Sequence, residues 1–170
     1  MKRIFFGLCA SLLLATPVLS HAFQPDDIIG YWRTIDDETG FAKAIVQVKK
    51  ARDGTYIGTI VETIPRPDYT PIEFCQNCPA PFTNKRLMEI PLVWNLKIDP
   101  RRTLSYTNGY LLDPTSGKLY ATDVRLSADD RRLMIRAKVI GAGFLNRIQM
   151  WMREPNFDIL PDLKDGDSYC

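Results

Sequence analysis

Apolar and polar residues alternate with a period of two along most of the chain beyond residue 30, and helical spacing is almost absent. That pattern belongs to half-buried strands, so the fold class is all-β. The alternation predicts strands at Tyr31 to Ile35, Lys43 to Lys50, Tyr56 to Ile64, Leu92 to Ile98, Leu104 to Thr107, Tyr110 to Leu112, Leu119 to Leu126, Leu133 to Ile140 and Arg147 to Arg153. Turn chemistry separates them: Asp37-Glu38-Thr39-Gly40, Arg52-Asp53-Gly54, Asp113-Pro114-Thr115-Ser116-Gly117 and Ser127-Ala128-Asp129-Asp130 carry the Asx side chains, proline and glycine that reverse a backbone. About eight or nine short strands joined mainly by hairpins predict an antiparallel up-and-down barrel, with a sandwich as the alternative.

One connection breaks the rhythm. Pro65 to Pro91 is long and proline-rich and holds Cys75 and Cys78; connections of that length in small domains are usually functional or carry structure of their own. Within it, Thr83 to Glu89 predicts a short helix capped by Thr83 or Asn84.

The first 22 residues follow a different grammar. Lys2 and Arg3, the apolar run Ile4 to Leu14 and the small-residue end Ser20-His21-Ala22 read as a cleavable secretory signal. The run is too short for a membrane span. The expected organisation is therefore a signal peptide at 1–22, one β-barrel domain at 23–153 and an acidic tail at 154–170, with export to the periplasm and no transmembrane span after cleavage. Removing the signal also removes Cys9 and His21, the single histidine of the chain.

Charge changes the picture only after that cut. The whole chain carries 22 Lys and Arg against 20 Asp and Glu, and the signal holds two of the cations and no acid, so the processed chain is balanced. A balanced chain gives no global case for nucleic acid or for an anionic membrane surface. The tail is acidic through Glu154, Asp158, Asp162, Asp165 and Asp167 against Lys164.

Candidate chemistry is sparse. Without histidine a Ser-His-Asp triad is impossible, and no nucleophile elbow, phosphate loop or dinucleotide fingerprint is present. The clustered carboxylates Asp36-Asp37-Glu38 and Asp129-Asp130 fall in turns and read as hairpin chemistry, so no catalytic residue and no cofactor is assigned, which weighs against an enzyme. Three sulfurs and no imidazole are too few for a structural zinc site. Cys75 and Cys78 are candidates for a disulfide, or less readily for a redox pair, because the thioredoxin mechanism needs a thiolate at a helix start in a βαβ setting. Cys170 is left over, to remain free, to pair with one of them or to bridge to another molecule.

A further candidate set is structural. In a closed barrel the first and last strands pair, which would bring Gly30, Trp32 and Arg153 together, with the guanidinium stacked on the indole to close the barrel end.

Gly-x-Trp at the start with an arginine at the end of the last strand resembles the calycins, the superfamily of the lipocalins. The fuller order Gly30-Tyr31-Trp32, Asp36-Asp37-Glu38-Thr39-Gly40, Asp53-Gly54-Thr55-Tyr56-Ile57-Gly58, Cys75-Gln76-Asn77-Cys78-Pro79, Asp113-Pro114-Thr115-Ser116-Gly117-Lys118-Leu119-Tyr120 and Trp151-Met152-Arg153 resembles a family of small exported bacterial proteins of unknown function. The likeness spans nearly all of Ile29 to Arg153 and departs from the family at Arg136-Ala137-Lys138, where a Gly-Tyr pair is common, and in the tail. It implies an envelope location and a lipocalin-like barrel, and it brings no catalytic residues. The function expected is the binding of a small apolar ligand inside the barrel, supported by Trp94, Tyr106, Tyr110, Tyr120 and Phe144. The alternatives are a filled barrel that is structural or docks an envelope protein, and a thiol-disulfide enzyme using Cys75 and Cys78.

Overall fold

The computed structural model of the chain describes residues 24–140 and 146–157. The signal segment, Phe144, and residues 158–170 with Cys170 lie outside the described residues. Eight strands form one closed antiparallel sheet: β1 Gly30–Ile35, β2 Ala42–Lys50, β3 Tyr56–Thr63, β4 Pro91–Ile98, β5 Ser105–Asp113, β6 Lys118–Leu126, β7 Arg132–Val139 and β8 Asn146–Arg153. Each pairs with the next, and β1 closes on β8 through Trp32↔Arg153, Arg33↔Met152 and Thr34↔Trp151. Closure decides for the barrel over the sandwich. Strand parity does the sorting: in β7, Leu133, Ile135 and Ala137 are buried while Arg132, Met134, Arg136 and Lys138 are exposed.

Up-and-down order gives the barrel two unlike ends. The β2–β3, β4–β5 and β6–β7 connections are short and gather at one end, together with a single 3-10 turn at Pro25–Ile28. There Trp32 Nε1 donates to the Ile28 carbonyl at 2.9 Å and Tyr56 Oη donates to Asp26 at 2.7 Å. Tyr106 meets Tyr56 edge to face, with ring centroids 5.3 Å apart. These rings, with Leu96, Leu126 and Leu133, fill the lower barrel and are almost wholly buried. The β1–β2, β3–β4 and β5–β6 connections, the second of them the long one, gather at the other end, called here the open end because a cavity lies beneath it.

The predicted break between Leu104–Thr107 and Tyr110–Leu112 is not a strand boundary. β5 runs through it with a bulge, marked by Asn108 at φ 60° and a register shift between Tyr106 and Gly109. β4 carries a matching irregularity at Asn95, φ 58°, whose Nδ2 donates to the Asn108 carbonyl at 2.8 Å. Asparagine tolerates positive φ, so both bulges fall where the sequence permits them. The extra residue in β4 reverses its parity: Tyr56 faces Leu96, but Gly58 faces Val93. Val93 and Leu111 therefore point inward, and their neighbours Trp94 and Tyr110 stack on each other outside the barrel. Of the aromatic residues taken to favour an interior ligand, Trp94 and Tyr110 thus lie outside, whereas Tyr106 and Tyr120 face the interior and are buried.

The helix predicted over Thr83 to Glu89 is also absent. Asn84 sits at φ 58°, which no right-handed helix allows, and the Thr83 hydroxyl donates to the Cys78 carbonyl at 2.7 Å instead of capping. A 3-10 turn at Leu87–Glu89 is what remains.

Candidate functional site

The open end is organised by side chains that the strand alternation aims at it. β8 sends Arg147, Gln149 and Trp151 inward in successive steps of two, and the Asp36–Phe41 hairpin, the β5–β6 turn and the long connection surround them. Arg147 is the keystone of the rim. Its Nε donates to both Asp37 carboxylate oxygens at 2.9 and 2.7 Å, its Nη2 also bonds Asp37, and its Nη1 lies 3.4 Å from Asp113. The guanidinium holds the Asp37 carboxyl below the usual carboxylate range, and Asp37 in turn raises Arg147 so that it stays charged.

Beside it, Asp36 is 5% exposed. Its Oδ1 accepts from Thr39 N and Thr39 Oγ1, each at 2.8 Å, which builds the hairpin turn, and its carboxylate also pairs with Lys43. Burial pushes this carboxyl up, but the donors from Lys43 and Thr39 outweigh it and leave it well below the ordinary range. The hairpin reading of Asp36-Asp37-Glu38 thus captures half of what these residues do. Their ion pairs with Lys43 and Arg147 escaped the sequence. The available signal was a cation in the inward row of β8, two and four residues ahead of Gln149 and Trp151.

Below the rim lies a cavity of about 110 Å³. Its walls are mainly apolar, formed by Ile35, Ala44, Ile60, Leu92, Leu111 and Trp151, with Tyr69, Pro71, Ile72 and Leu87 of the long connection on one side. Trp151 is 1% exposed, and its indole Nε1 is buried with no hydrogen-bond partner among the described residues. Phe41 and Ile72 are exposed at this end. Arg66 ties the connection to the β1–β2 hairpin by stacking on Phe41 at 4.4 Å and Tyr69 at 5.3 Å.

Cys75 and Cys78 are both buried, with Cα atoms 5.4 Å apart and sulfurs in contact. They form the turn of a small closed loop in which Cys75 N donates to Lys85 O at 2.9 Å and Asn84 N donates to Cys75 O at 3.0 Å. This loop docks on the β5–β6 turn. Gly117, at φ +70°, leaves space that any Cβ would take from the Asn77 carbonyl. The remaining sequence candidates sit together at the opposite end. Arg153 lies 4.2 Å from the Trp32 ring centroid, donates to Asp130 O at 2.6 Å and Ile29 O at 3.1 Å, and also bonds Asp27 O and the Asp130 carboxylate. A Cβ on Gly30 would come within 3.1 Å of its Nη1. Among the described residues, no three of His, Cys, Asp or Glu cluster to hold a metal ion, and no helix is long and apolar enough to cross a membrane.

Residues 30–153 match the family described as uncharacterized protein conserved in bacteria (DUF2147). The chain belongs to this family. No curated protein matches it. Among solved structures, the fold is similar to that of the protein HP1028 from Helicobacter pylori, described as belonging to the lipocalin family. The TM-score is 0.61 at 16% identity, covering 77% of this chain and 85% of that one. At that identity the likeness establishes the lipocalin-like barrel and nothing of its cargo.

Proposed function

We propose that this DUF2147 protein binds one small, largely apolar ligand in the cavity at the open end of its barrel, and that it does so in the bacterial envelope after export. The observation that carries the reading is the contrast between the two ends: aromatic and leucine side chains fill the lower barrel, whereas about 110 Å³ stays open beneath the Arg147 rim. An apolar cleft with a few placed polar groups is the usual form of a small-molecule site. In this reading the Cys75–Cys78 pair is a disulfide that staples the loop at the mouth. Both sulfurs are buried, which suits a staple better than a thiol that must meet a substrate.

The test is Nile red binding by the purified protein and by Ile60→Trp, which would fill the cavity. Saturable fluorescence in the wild type and its loss in the variant, at unchanged melting temperature, is the expected result; equal binding by both proteins would remove the cavity from the argument. Extraction of the protein followed by mass spectrometry should release a lipid-like molecule. The proposed organisation, signal at 1–22, barrel at 23–153 and acidic tail at 154–170, predicts recovery in the periplasmic fraction. Retention in the cytoplasm would count against it. The docking alternative draws on Met134, Ile148 and Met152, which are exposed on the outer faces of β7 and β8.

A further inference from the structure

Three side-chain nitrogens at the open end are buried without a partner among the described residues: Trp151 Nε1 and Arg66 Nε and Nη1. They have essentially no accessible surface, so a molecule in the cavity cannot reach them unless the walls move. Two other polar side chains differ. Gln149 and Tyr120 both line the cavity, and among the described residues neither the Gln149 amide nor the Tyr120 hydroxyl has a hydrogen-bond partner or belongs to that sealed set. Their polar atoms therefore keep accessible surface. Gln149 is inward and half-buried, opposite Ile135 and one inward step below Arg147, and Tyr120 reaches in from β6 and is 7% exposed. An inward side chain set below the rim has its accessible surface in the barrel interior, and here that interior is the cavity. The two groups share this space without bonding each other.

An amide and a phenol each offer a donor and an acceptor, and either is costly to bury unmet. Water can serve such groups in a roomy polar site. A molecule that fills the apolar walls has to replace it with a head that donates and accepts as water does. From this arrangement, and resting on the ligand-binding reading above, we infer that the cavity takes an apolar molecule with a hydroxyl-type head, held by the Gln149 amide and the Tyr120 hydroxyl. The hydrocarbon part lies against Ile60, Leu92 and Leu111. Gln149 and Tyr120 are then the specificity-determining residues of the site. A ketone or ester head only accepts, and it leaves the Gln149 carbonyl oxygen without a donor.

Hexane, butyl methyl ketone and hexanol test this, because they are close in size and differ in what the head can do. The informative quantity is a ratio of affinities compared between wild type and variant, since the hydration of the free probes then cancels. A net hydrogen bond near the upper end of the usual range corresponds to about a tenfold change in affinity. The hexanol-to-hexane ratio is therefore expected to fall about tenfold in Gln149→Leu and about as far in Tyr120→Phe. The second variant removes a single oxygen and keeps the test decisive where the first does not fold. In the double variant the hexanol-to-ketone ratio should also fall, because the bond that only a hydroxyl can donate is lost. In spectra of the ¹⁵N-labelled protein, one side-chain amide pair should move with hexanol and hold still with hexane; its absence from Gln149→Leu identifies it. An unchanged hexanol-to-hexane ratio in either folded variant, an unchanged hexanol-to-ketone ratio in the double variant, or an amide pair unmoved by bound hexanol would each overturn the inference while leaving ligand binding intact. Failure of all three probes to bind the wild type would remove the ligand reading itself, and this inference with it.

Discussion

Arg153→Ala removes a guanidinium that joins three separate stretches at the closed end: the 3-10 turn with its following residue, the β6–β7 turn and the Trp32 indole. The side chain is 20% exposed and makes bonds to three backbone carbonyls and one carboxylate. A hydrogen bond from a charged donor is worth roughly 1.5–3 kcal/mol, and a partly desolvated cation–π contact adds about 1 kcal/mol. The sum overstates the loss, because water reaches the vacated rim and the half-exposed Asp130 carboxylate is screened. A net loss of about 3 kcal/mol follows, near the lower end for breaking a buried ion pair. Arg153→Lys isolates geometry from charge. An ammonium keeps the charge but can neither lie flat on the indole nor serve carbonyls on two sides, so about 2 kcal/mol should still be lost. Urea unfolding followed by near-ultraviolet circular dichroism measures both. With a slope of about 1.5–2 kcal/mol per molar urea, the midpoint falls by roughly 1.5–2 M for alanine and about 1 M for lysine. Lysine matching the wild type would refute the claim that the planar fork matters, and an alanine variant with an unmoved midpoint would refute the closure itself.

Two further outcomes follow from the open end. Gly117→Val should destabilise by about 1–3 kcal/mol, because φ +70° is strained for a branched residue and its Cβ meets the Asn77 carbonyl. Limited proteolysis should then cut the connection between β3 and β4 sooner than in the wild type; an unchanged cleavage pattern would show that the loop does not depend on this contact. Arg147→Met should lower stability at pH 7 by about 1–2 kcal/mol, since the ion pairs are about three-quarters buried. The folded-state pKa of Asp37 is depressed, so its contribution is present above the unfolded value near ~4 and is lost as pH falls through the folded value. The gap between wild type and variant should narrow below about pH 4. A gap that widens on acidification would contradict the pairing.

The strands were legible because each strand's inward row is apolar and its outward row polar, as in Leu133, Ile135 and Ala137 against Arg132, Arg136 and Lys138. The pairing of the chain's ends was legible too, since a barrel must bring its first and last strands together. Two asparagines account for the main errors. Asn95 and Asn108 each insert a residue into a strand, and one inserted residue exchanges the faces of everything beyond it. Strict alternation back from Leu96 would put Trp94 inside; the bulge at Asn95 puts Val93 there instead. The cavity was illegible for a different reason. It is a space left between inward side chains of several strands and a folded connection, and no local period records what is missing between residues such as Ala44, Ile60 and Leu111. Arg147 was visible but ambiguous, because a charged residue opening a strand is ordinarily solvated.

The seam between β1 and β8 rests on three register pairs, and β8 carries an inward arginine near each end of it. An open seam would turn a closed sheet into one with two bare edges, each a row of backbone donors and acceptors ready to pair with another molecule. Arg153 fastens that seam to the floor, and Arg147 fastens the far end of β8 to the hairpin that follows β1. The two cations therefore guard against self-association as well as unfolding, and a protein weakened at either should be lost first to aggregation at the seam.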